Sequence, residues 1–319
     1  MGELASDQAP ASREAPYVET VLKDGLARGD RALSGVAPVL AHLLASNGHS
    51  LVSDAIVARL SGMLMDISRQ LLTTDGGSPD MPDEALLDQL SDHLGGDSAV
   101  LSHCYAIAME GLLTERFEHR SSIDPILTPL LQELIASDQP AVAELAMAAL
   151  AAQSRFMQSQ RRMALPLSEL PAELFHAVLK RWQSFMKRIG QPPSGEVIQS
   201  IKQSFDEGAS RVGVLARLVS SMRGGAAAAL ELDHAGLALF VSGLSALTRQ
   251  PRELAVLACH EQQAARLALS LRAAGLDPPA IERQFAAIEP LERLPHGLGD
   301  LSPQRALALL RHSNASAAG

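Results

Sequence analysis

Aromatic residues make up only 3% of this 319-residue chain, with one Trp, two Tyr and seven Phe. A core with so few rings must be built from Leu, Ala, Val and Met, which favours closely packed helices over a β-sandwich. The sequence also lacks the period-two alternation, bounded by turn residues, that predicts strands. We therefore predict an all-α fold, either an irregular multi-helix bundle or a solenoid-like array of helical hairpins.

Cysteines and long apolar runs are equally scarce. The two cysteines, Cys104 and Cys259, fall within predicted helices, which indicates reduced thiols rather than a disulfide framework. The longest charge-free apolar run covers 235–247 and is too short to cross a membrane. Because a basic start followed by an apolar run is missing too, we expect a cytoplasmic protein without a membrane partner.

The common catalytic signatures are missing as well. The sequence contains no G-x-G-x-x-G, no phosphate loop and no G-x-S-x-G elbow. His260-Glu261 begins like the zinc-protease H-E-x-x-H motif, but position 264 is Ala. A His and a Cys are also adjacent at His103-Cys104 and at Cys259-His260. Adjacent side chains on a helix point about 100° apart, which disfavours the binding of one metal ion by both members of a pair. We expect no enzymatic activity, no cofactor and no metal.

Charge is unevenly distributed along the chain. Residues 1–154 hold 8 basic and 22 acidic residues, residues 155–223 hold 11 and 5, and residues 224–319 hold 8 and 9. The overall net charge of −9 argues against general nucleic-acid binding. Only 4 of the 27 basic residues are Lys, a bias that, together with the abundant Ala, is typical of a GC-rich bacterial genome.

The basic middle segment supplies our candidate binding residues, which precede and follow a Pro-marked corner. They are Arg155, Arg161, Arg162, Lys180, Arg181, Lys187 and Arg188. If the corner brings the two groups together, they could bind a phosphate, a carboxylate or an acidic partner. The alternatives are a solvated basic face, a face paired with the acidic first half, and a nucleic-acid site. Phe175, Trp182 and Phe185 recur at helical spacing, which predicts a core stripe rather than base-stacking platforms.

The pattern of breaks predicts four regions: a flexible tail over 1–16, an acidic helical region over 17–164, a helical region with a basic first half over 165–312, and a flexible tail over 313–319. Within them we predict a helix over 17–27, ended by Arg28-Gly29-Asp30, a second over 34–45, and one over 194–222 that bends near Gly208.

One segment, LLQELIASDQPAVAELAMAAL over 130–150, resembles a single HEAT-type repeat, in which two antiparallel helices are joined by a polar turn. A related layout recurs over 244–257, but the units are not evenly spaced. We therefore favour an irregular helical array over a regular HEAT solenoid.

Glu110 lies between Met109 and Leu112, which makes it a candidate buried carboxylate and favours a salt-bridged or a snorkelling Glu over a catalytic acid. The absence of catalytic motifs, combined with helical hairpins that offer large surfaces, leads to our main functional hypothesis. It is a non-enzymatic interaction or scaffold protein whose partner is a protein; self-association stays open. The alternative is a regulatory protein that binds a small molecule or anion at the basic junction 155–188.

Overall fold

The structure, a computed structural model, describes residues 15–45, 54–74, 83–260, 263–288, 294 and 297–317. These residues form α-helices and short 3-10 helices and no strand, so the all-α prediction is confirmed for this part of the chain. None of the helices in these ranges combines the length and the apolarity needed to cross a membrane. The α-helices are α1 (Ala15–Ala45), α2 (Asp54–Thr74), α3 (Glu84–Gly95), α4 (Ser98–Ser121), α5 (Pro129–Ile135), α6 (Pro140–Arg161), α7 (Ala172–Arg188), α8 (Gly195–Ser204), α9 (Arg211–Ser221), α10 (Leu232–Thr248), α11 (Arg252–Ala258), α12 (Ala264–Ala273), α13 (Pro278–Ile288) and α14 (Pro303–Ala317). The 3-10 helices cover Leu167–Glu169, Glu207–Ala209, Arg223–Leu230 and Leu298–Asp300.

Short polar side chains fix where many of these helices begin. Asp97 accepts hydrogen bonds from the amides of Ala99 and Val100 at the start of α4, and Ser194 accepts one from Val197 at the start of α8. These caps satisfy amides that lack a partner within the first helical turn. The starts of α4 and α8 are therefore local properties of the sequence.

The chain divides into two compact units. The small unit comprises the described residues of 1–34, 247–249 and 258–319, and the large unit comprises those of 35–246 and 250–257. The boundary predicted between the helical regions 17–164 and 165–312 therefore falls inside the large unit.

In the small unit, α12 packs against α13 and α14, and buried residues of α1, such as Leu22 and Leu26, belong to the same unit. The predicted break at residues 28–30 was wrong, because α1 runs through it without interruption. The side-chain amide of Gln263 donates through Nε2 to the backbone oxygen of Gly29. A Cβ at Gly29 would lie 2.6 Å from Gln263 Oε1. Gly29 therefore permits close packing instead of ending the helix.

The large unit contains two apolar cores, and α6 contributes to both. The second half of α6 packs Phe156 and Met157 into a core shared with α2, α3, α4, α7 and α8. The first half packs Ala146 and Ala149 into a core shared with α5, α9 and α10. The predicted core stripe of α7 is confirmed, since the side chain of Trp182 is completely buried in the first core.

Two further predictions need correction. The predicted helix over 194–222 is interrupted after Ser204. Asp206 accepts a hydrogen bond from the amide of Gly208 at the start of a 3-10 helix, and Ser210 accepts one from the amide of Gly213 at the start of α9. The predicted C-terminal tail is helical up to Ala317, and the hydroxyl of Ser313 donates to Asp30. The predicted tail over 1–16 lies outside the described residues except for 15 and 16, which begin α1.

The segment with the HEAT-like pattern does form two helices, α5 and α6, which pack against each other across a short turn. The preference for an irregular helical array over a regular HEAT solenoid stays a prediction.

Candidate functional site

A cavity of about 320 Å³ lies in the large unit, where the second half of α6, the α6–α7 connection and the start of α9 meet. We call it the corner cavity. Its charged lining residues are Arg155, Arg162, Glu169 and Arg211; its neutral polar ones are Gln158, Ser159, Gln160 and Ser168; its apolar ones are Ile107, Phe156, Ala164, Leu165, Pro166 and Val212. Small-molecule sites combine apolar wall with polar groups, as this lining does, although polar residues are more numerous here; the volume lies at the lower end of the range of such sites.

The wall of the cavity turns sharply at the end of α6. The amide of Met163 donates to the oxygen of Gln160, and that of Ala164 donates to the oxygen of Ser159, which is the Schellman pattern. Met163 occupies the left-handed region with a φ of 54°, a conformation that side chains other than Gly adopt at a cost. The corner is thus held in a conformation that its own sequence does not favour.

Helix α2 supplies the contacts that hold this corner. Asp66 accepts a hydrogen bond from the amide of Leu165 at 3.0 Å. Gln70 donates to the oxygen of Leu165 at 3.1 Å and accepts from the amide of Leu167 at 2.9 Å. A Cβ on Gly62 would lie 2.5 Å from that of Met163, so α2 can approach the corner only because residue 62 is Gly.

Arg155 and Arg162 are the two exposed cations of the cavity. They stand seven residues apart, on the same side of α6, and both line the cavity. Neither guanidinium forms a hydrogen bond or an ion pair with any of the described residues. Two charges without an internal partner therefore face one concave site.

Glu169 brings the opposite charge to the same cavity. Its Oε2 accepts a hydrogen bond from the amide of Arg211 at 2.8 Å and so caps the start of α9. In a reciprocal arrangement, Oε1 of Glu207 accepts from the amide of Ala172, the first residue of α7, at 3.1 Å. A carboxylate at a helix N-terminus also interacts favourably with the helix dipole. The two caps fix the starts of α7 and α9.

Behind the cavity wall lies a buried triad of Glu110, Arg211 and Arg252. Both guanidinium groups bind the Glu110 carboxylate through two hydrogen bonds of 2.7 Å each. The Arg211 guanidinium also lies over the ring of Phe156, 3.7 Å from its centroid. The Glu110 side chain is 1% exposed and that of Arg211 is 2% exposed. The triad links α4, α9 and α11, and its single carboxylate is shared by both guanidinium groups, so the triad as a whole keeps one positive charge in excess.

The electrostatics of Glu110 follow from this arrangement. Burial alone would raise the pKa of its carboxyl, but the charges and hydrogen bonds of Arg211 and Arg252 together outweigh burial. The pKa of Glu110 is therefore held well below its ordinary value, and the carboxylate is ionised at neutral pH. Of the two predicted alternatives, the buried and salt-bridged carboxylate is what the structure shows.

The structure separates the seven predicted binding residues. Only Arg155 and Arg162 line the corner cavity; Arg161 is exposed but absent from its lining. Arg181 donates to the backbone oxygen of His93, at the end of α3, and lies 3.6 Å from Asp97. Its role is to hold helices together, because a cation at a helix C-terminus binds the unpaired carbonyls there.

The three other predicted residues lie on the solvent-facing side of α7. Lys180, Lys187 and Arg188 are exposed, and the Arg188 guanidinium lies 5.3 Å from the centroid of the Phe185 ring. They form an outward basic stripe that does not take part in lining the corner cavity.

Sequence reasoning missed Glu169 and Arg211 as cavity residues. The sequence places Glu169 within the Pro-marked corner, but it gives no sign of the hydrogen bond that Glu169 accepts from the first amide of α9. Arg211 lies 101 residues from Glu110, and no local pattern connects the two.

A second cavity, of about 340 Å³, lies in the small unit between α1 and α14. Its charged groups are paired: Asp30 accepts from buried Arg266, and Arg305 binds Glu19 through two hydrogen bonds of 2.8 Å. The corner cavity is therefore the better candidate site, because two of its three arginines, Arg155 and Arg162, have no partner among the described residues. Among the described residues, no group of three or more His, Cys, Asp or Glu is arranged to hold a metal ion.

Comparison with known proteins gives no match: neither a protein-family model, nor a curated protein, nor a solved structure is similar to this chain.

Proposed function

We propose that the protein binds a small anionic ligand in the corner cavity and that Arg155 and Arg162 hold its negative charge. The observation that carries the proposal is the pair of guanidinium groups that line one cavity and have no partner within the part of the chain that the structure describes. Guanidinium groups bind carboxylates and phosphates through paired hydrogen bonds, so these two anions are the ligand chemistry that fits.

The shape of the site supports the same proposal. A concave wall with apolar sections, such as Phe156 and Leu165, concentrates the field of the two arginines and excludes part of the competing water. Arg211, the third arginine of the lining, is bonded to Glu110, so Arg155 and Arg162 near the end of α6 are the lining cations that remain available to a ligand. The ligand would contact α6, the corner and α9 together, so its binding would stabilise the large unit.

We expect binding without turnover. The lining contains neither His nor Cys, and its one carboxylate, Glu169, already accepts a hydrogen bond from the amide of Arg211. A role in sensing, carrying or regulating an anionic small molecule follows from such a site.

The test is thermal unfolding with inorganic phosphate and with small carboxylates as probes. A ligand at 100 times its dissociation constant adds about 2.7 kcal/mol to the free energy of unfolding. We expect such a shift for the wild type, a decrease of the shift with rising salt, and its loss in the double variant Arg155→Gln, Arg162→Gln. Arg161→Gln is the matched control, since Arg161 is an exposed neighbour that does not line the cavity.

Retention of the full shift in the double variant would contradict the proposal. So would the absence of a shift with every probe in the wild type. An equal loss of the shift in Arg161→Gln would show that general surface charge, not the cavity, binds the anion.

A second candidate function is the protein-interaction role, for which the outward stripe of α7 is the supporting observation. Lys180, Lys187 and Arg188 are exposed, while the opposite face of α7 buries Phe175 and Trp182 in the core. Such a stripe fits an acidic protein segment. Labelled poly-glutamate, followed by fluorescence anisotropy, should bind the wild type and lose affinity in Lys180→Glu, Lys187→Glu. Equal affinity in both proteins would reject this role.

A further inference from the structure

We infer that the ligand of the corner cavity is a small molecule that carries two anionic groups and one amino group. This inference rests on the proposed function and deepens it, because it assigns the chemical class of the ligand. The lining holds Arg211, which is bonded to Glu110, one glutamate, and two arginines without a partner among the described residues; the last two arginines and the glutamate are the pattern from which the inference follows.

The two cations are separate binding points. Arg155 and Arg162 lie two helical turns apart, a rise of about 10 Å along the axis of α6. A single carboxylate could meet both guanidinium groups only if the two long side chains bent toward each other. Two anionic groups on a short carbon skeleton can instead bind one arginine each, in the paired geometry that guanidinium favours.

Glu169 favours a ligand that also carries a positive or hydrogen-bond donating group. Its Oε2 is bonded to the amide of Arg211 at 2.8 Å, while none of the hydrogen bonds or ion pairs among the described residues uses its Oε1. The residue is half-buried and lines the same cavity. A ligand with negative charge alone would face repulsion from this carboxylate, whereas an ammonium group would donate to it.

The rest of the lining fits a small skeleton. Ser159, Ser168 and Gln158 offer neutral hydrogen-bonding groups, and Phe156 and Leu165 offer apolar surface to a few methylene groups. The volume of about 320 Å³ accommodates a molecule of this size.

Isothermal titration with three related probes tests the inference. Glutarate has two carboxylates, L-glutamate adds an ammonium group to the same skeleton, and 2-aminobutyrate keeps the ammonium group but has one carboxylate. We expect the wild type to bind glutamate roughly tenfold more tightly than either of the others, the effect of one charge-assisted contact.

The variant Glu169→Gln isolates the role of the carboxylate. Its amide oxygen can still accept from the Arg211 amide, so the cap of α9 is retained while the negative charge is removed. We expect the preference for glutamate over glutarate to disappear in this variant. Glu173→Gln, a change at an exposed residue of α7 outside the cavity, should leave the preference unchanged.

The outcomes separate the two proposals. If phosphate or glutarate binds through Arg155 and Arg162 but glutamate gains nothing, or if Glu169→Gln leaves the preference unchanged, the inference about ligand class is overturned and the proposed function stands. If neither phosphate nor any of the three probes binds, both are overturned.

Discussion

Replacing Glu110 with Gln should be among the most damaging single changes in the large unit. The variant keeps the shape of the side chain but removes the charge that compensates Arg211 and Arg252, whose side chains are 2% and 10% exposed. Two guanidinium groups would then face each other across a neutral amide that can accept only part of their hydrogen bonds.

The expected loss is large compared with the total stability. Removing one partner of a buried ion pair costs about 3–5 kcal/mol, because the remaining charge stays buried without compensation. The free energy of unfolding of an ordinary domain is about 5–15 kcal/mol. The double variant Glu110→Gln, Arg252→Gln should recover part of the lost free energy of unfolding, because it leaves one uncompensated buried charge instead of two.

The same carboxylate gives a defined pH dependence. Its pKa in the folded protein lies below the ordinary value of 4.5. Its stabilisation is therefore fully present above the unfolded-state pKa and is lost as pH falls through that value toward the folded-state pKa. The difference between wild type and Glu110→Gln should be constant from about pH 6 to 8 and should narrow below about pH 4.5.

Urea unfolding followed by Trp fluorescence measures this directly, because the only Trp, Trp182, is completely buried in the large unit. Glu118→Gln, an exposed change in the same helix, is the control and should shift the free energy of unfolding by about 0.5 kcal/mol or less. A loss below about 1 kcal/mol for Glu110→Gln, or one that does not depend on pH, would refute the reasoning.

Three further predictions concern the corner and the thiol. Gly62→Ala should destabilise the protein by about 2 kcal/mol or more in urea unfolding and weaken phosphate binding, because the added Cβ of residue 62 would overlap Met163. Gly35→Ala is the control and should be neutral or slightly stabilising, because the space around residue 35 is open. Asp66→Ala should reduce phosphate affinity in isothermal titration, since the corner loses a hydrogen bond; unchanged affinity would show that this bond does not position the site. Cys104 should resist a thiol-specific reagent at pH 8 until the protein unfolds, because burial raises its pKa to about 12; rapid labelling of the folded protein would contradict this.

The corner cavity connects the two apolar cores of the large unit. Its wall is formed by the part of α6 that packs in the core of Trp182, and by the start of α9, which packs in the other core. A ligand that contacts both parts would oppose their separation, so binding energy would appear as stability of the whole unit.

Much of the fold could be predicted from local patterns. Apolar residues at helical spacing identified α4, α6 and α7. The spacing of Phe175, Trp182 and Phe185 alone predicted that their side chains are buried in the core. Such features depend on residues within a few turns of one another, so a single sequence contains them.

Where helices end was less predictable, because packing decides it. The Arg28-Gly29-Asp30 segment has the composition of a break, yet the close approach of Gln263 makes Gly29 part of a continuous helix. At the end of α6, a Met adopts the left-handed conformation that Gly would favour, since contacts from α2 hold it there.

The sequence by itself determined that the described part of the chain is helical and that α7 buries its aromatic face, and it narrowed Glu110 to a salt-bridged or a snorkelling carboxylate. Each of these follows from residue type and periodicity. Tertiary structure alone decided which of the seven basic residues share a site, because Arg155 and Arg162 reach one cavity while Arg181 is bonded to the end of α3. It also paired Glu110 with Arg211 and Arg252 across separations of 101 and 142 residues, which no local pattern encodes.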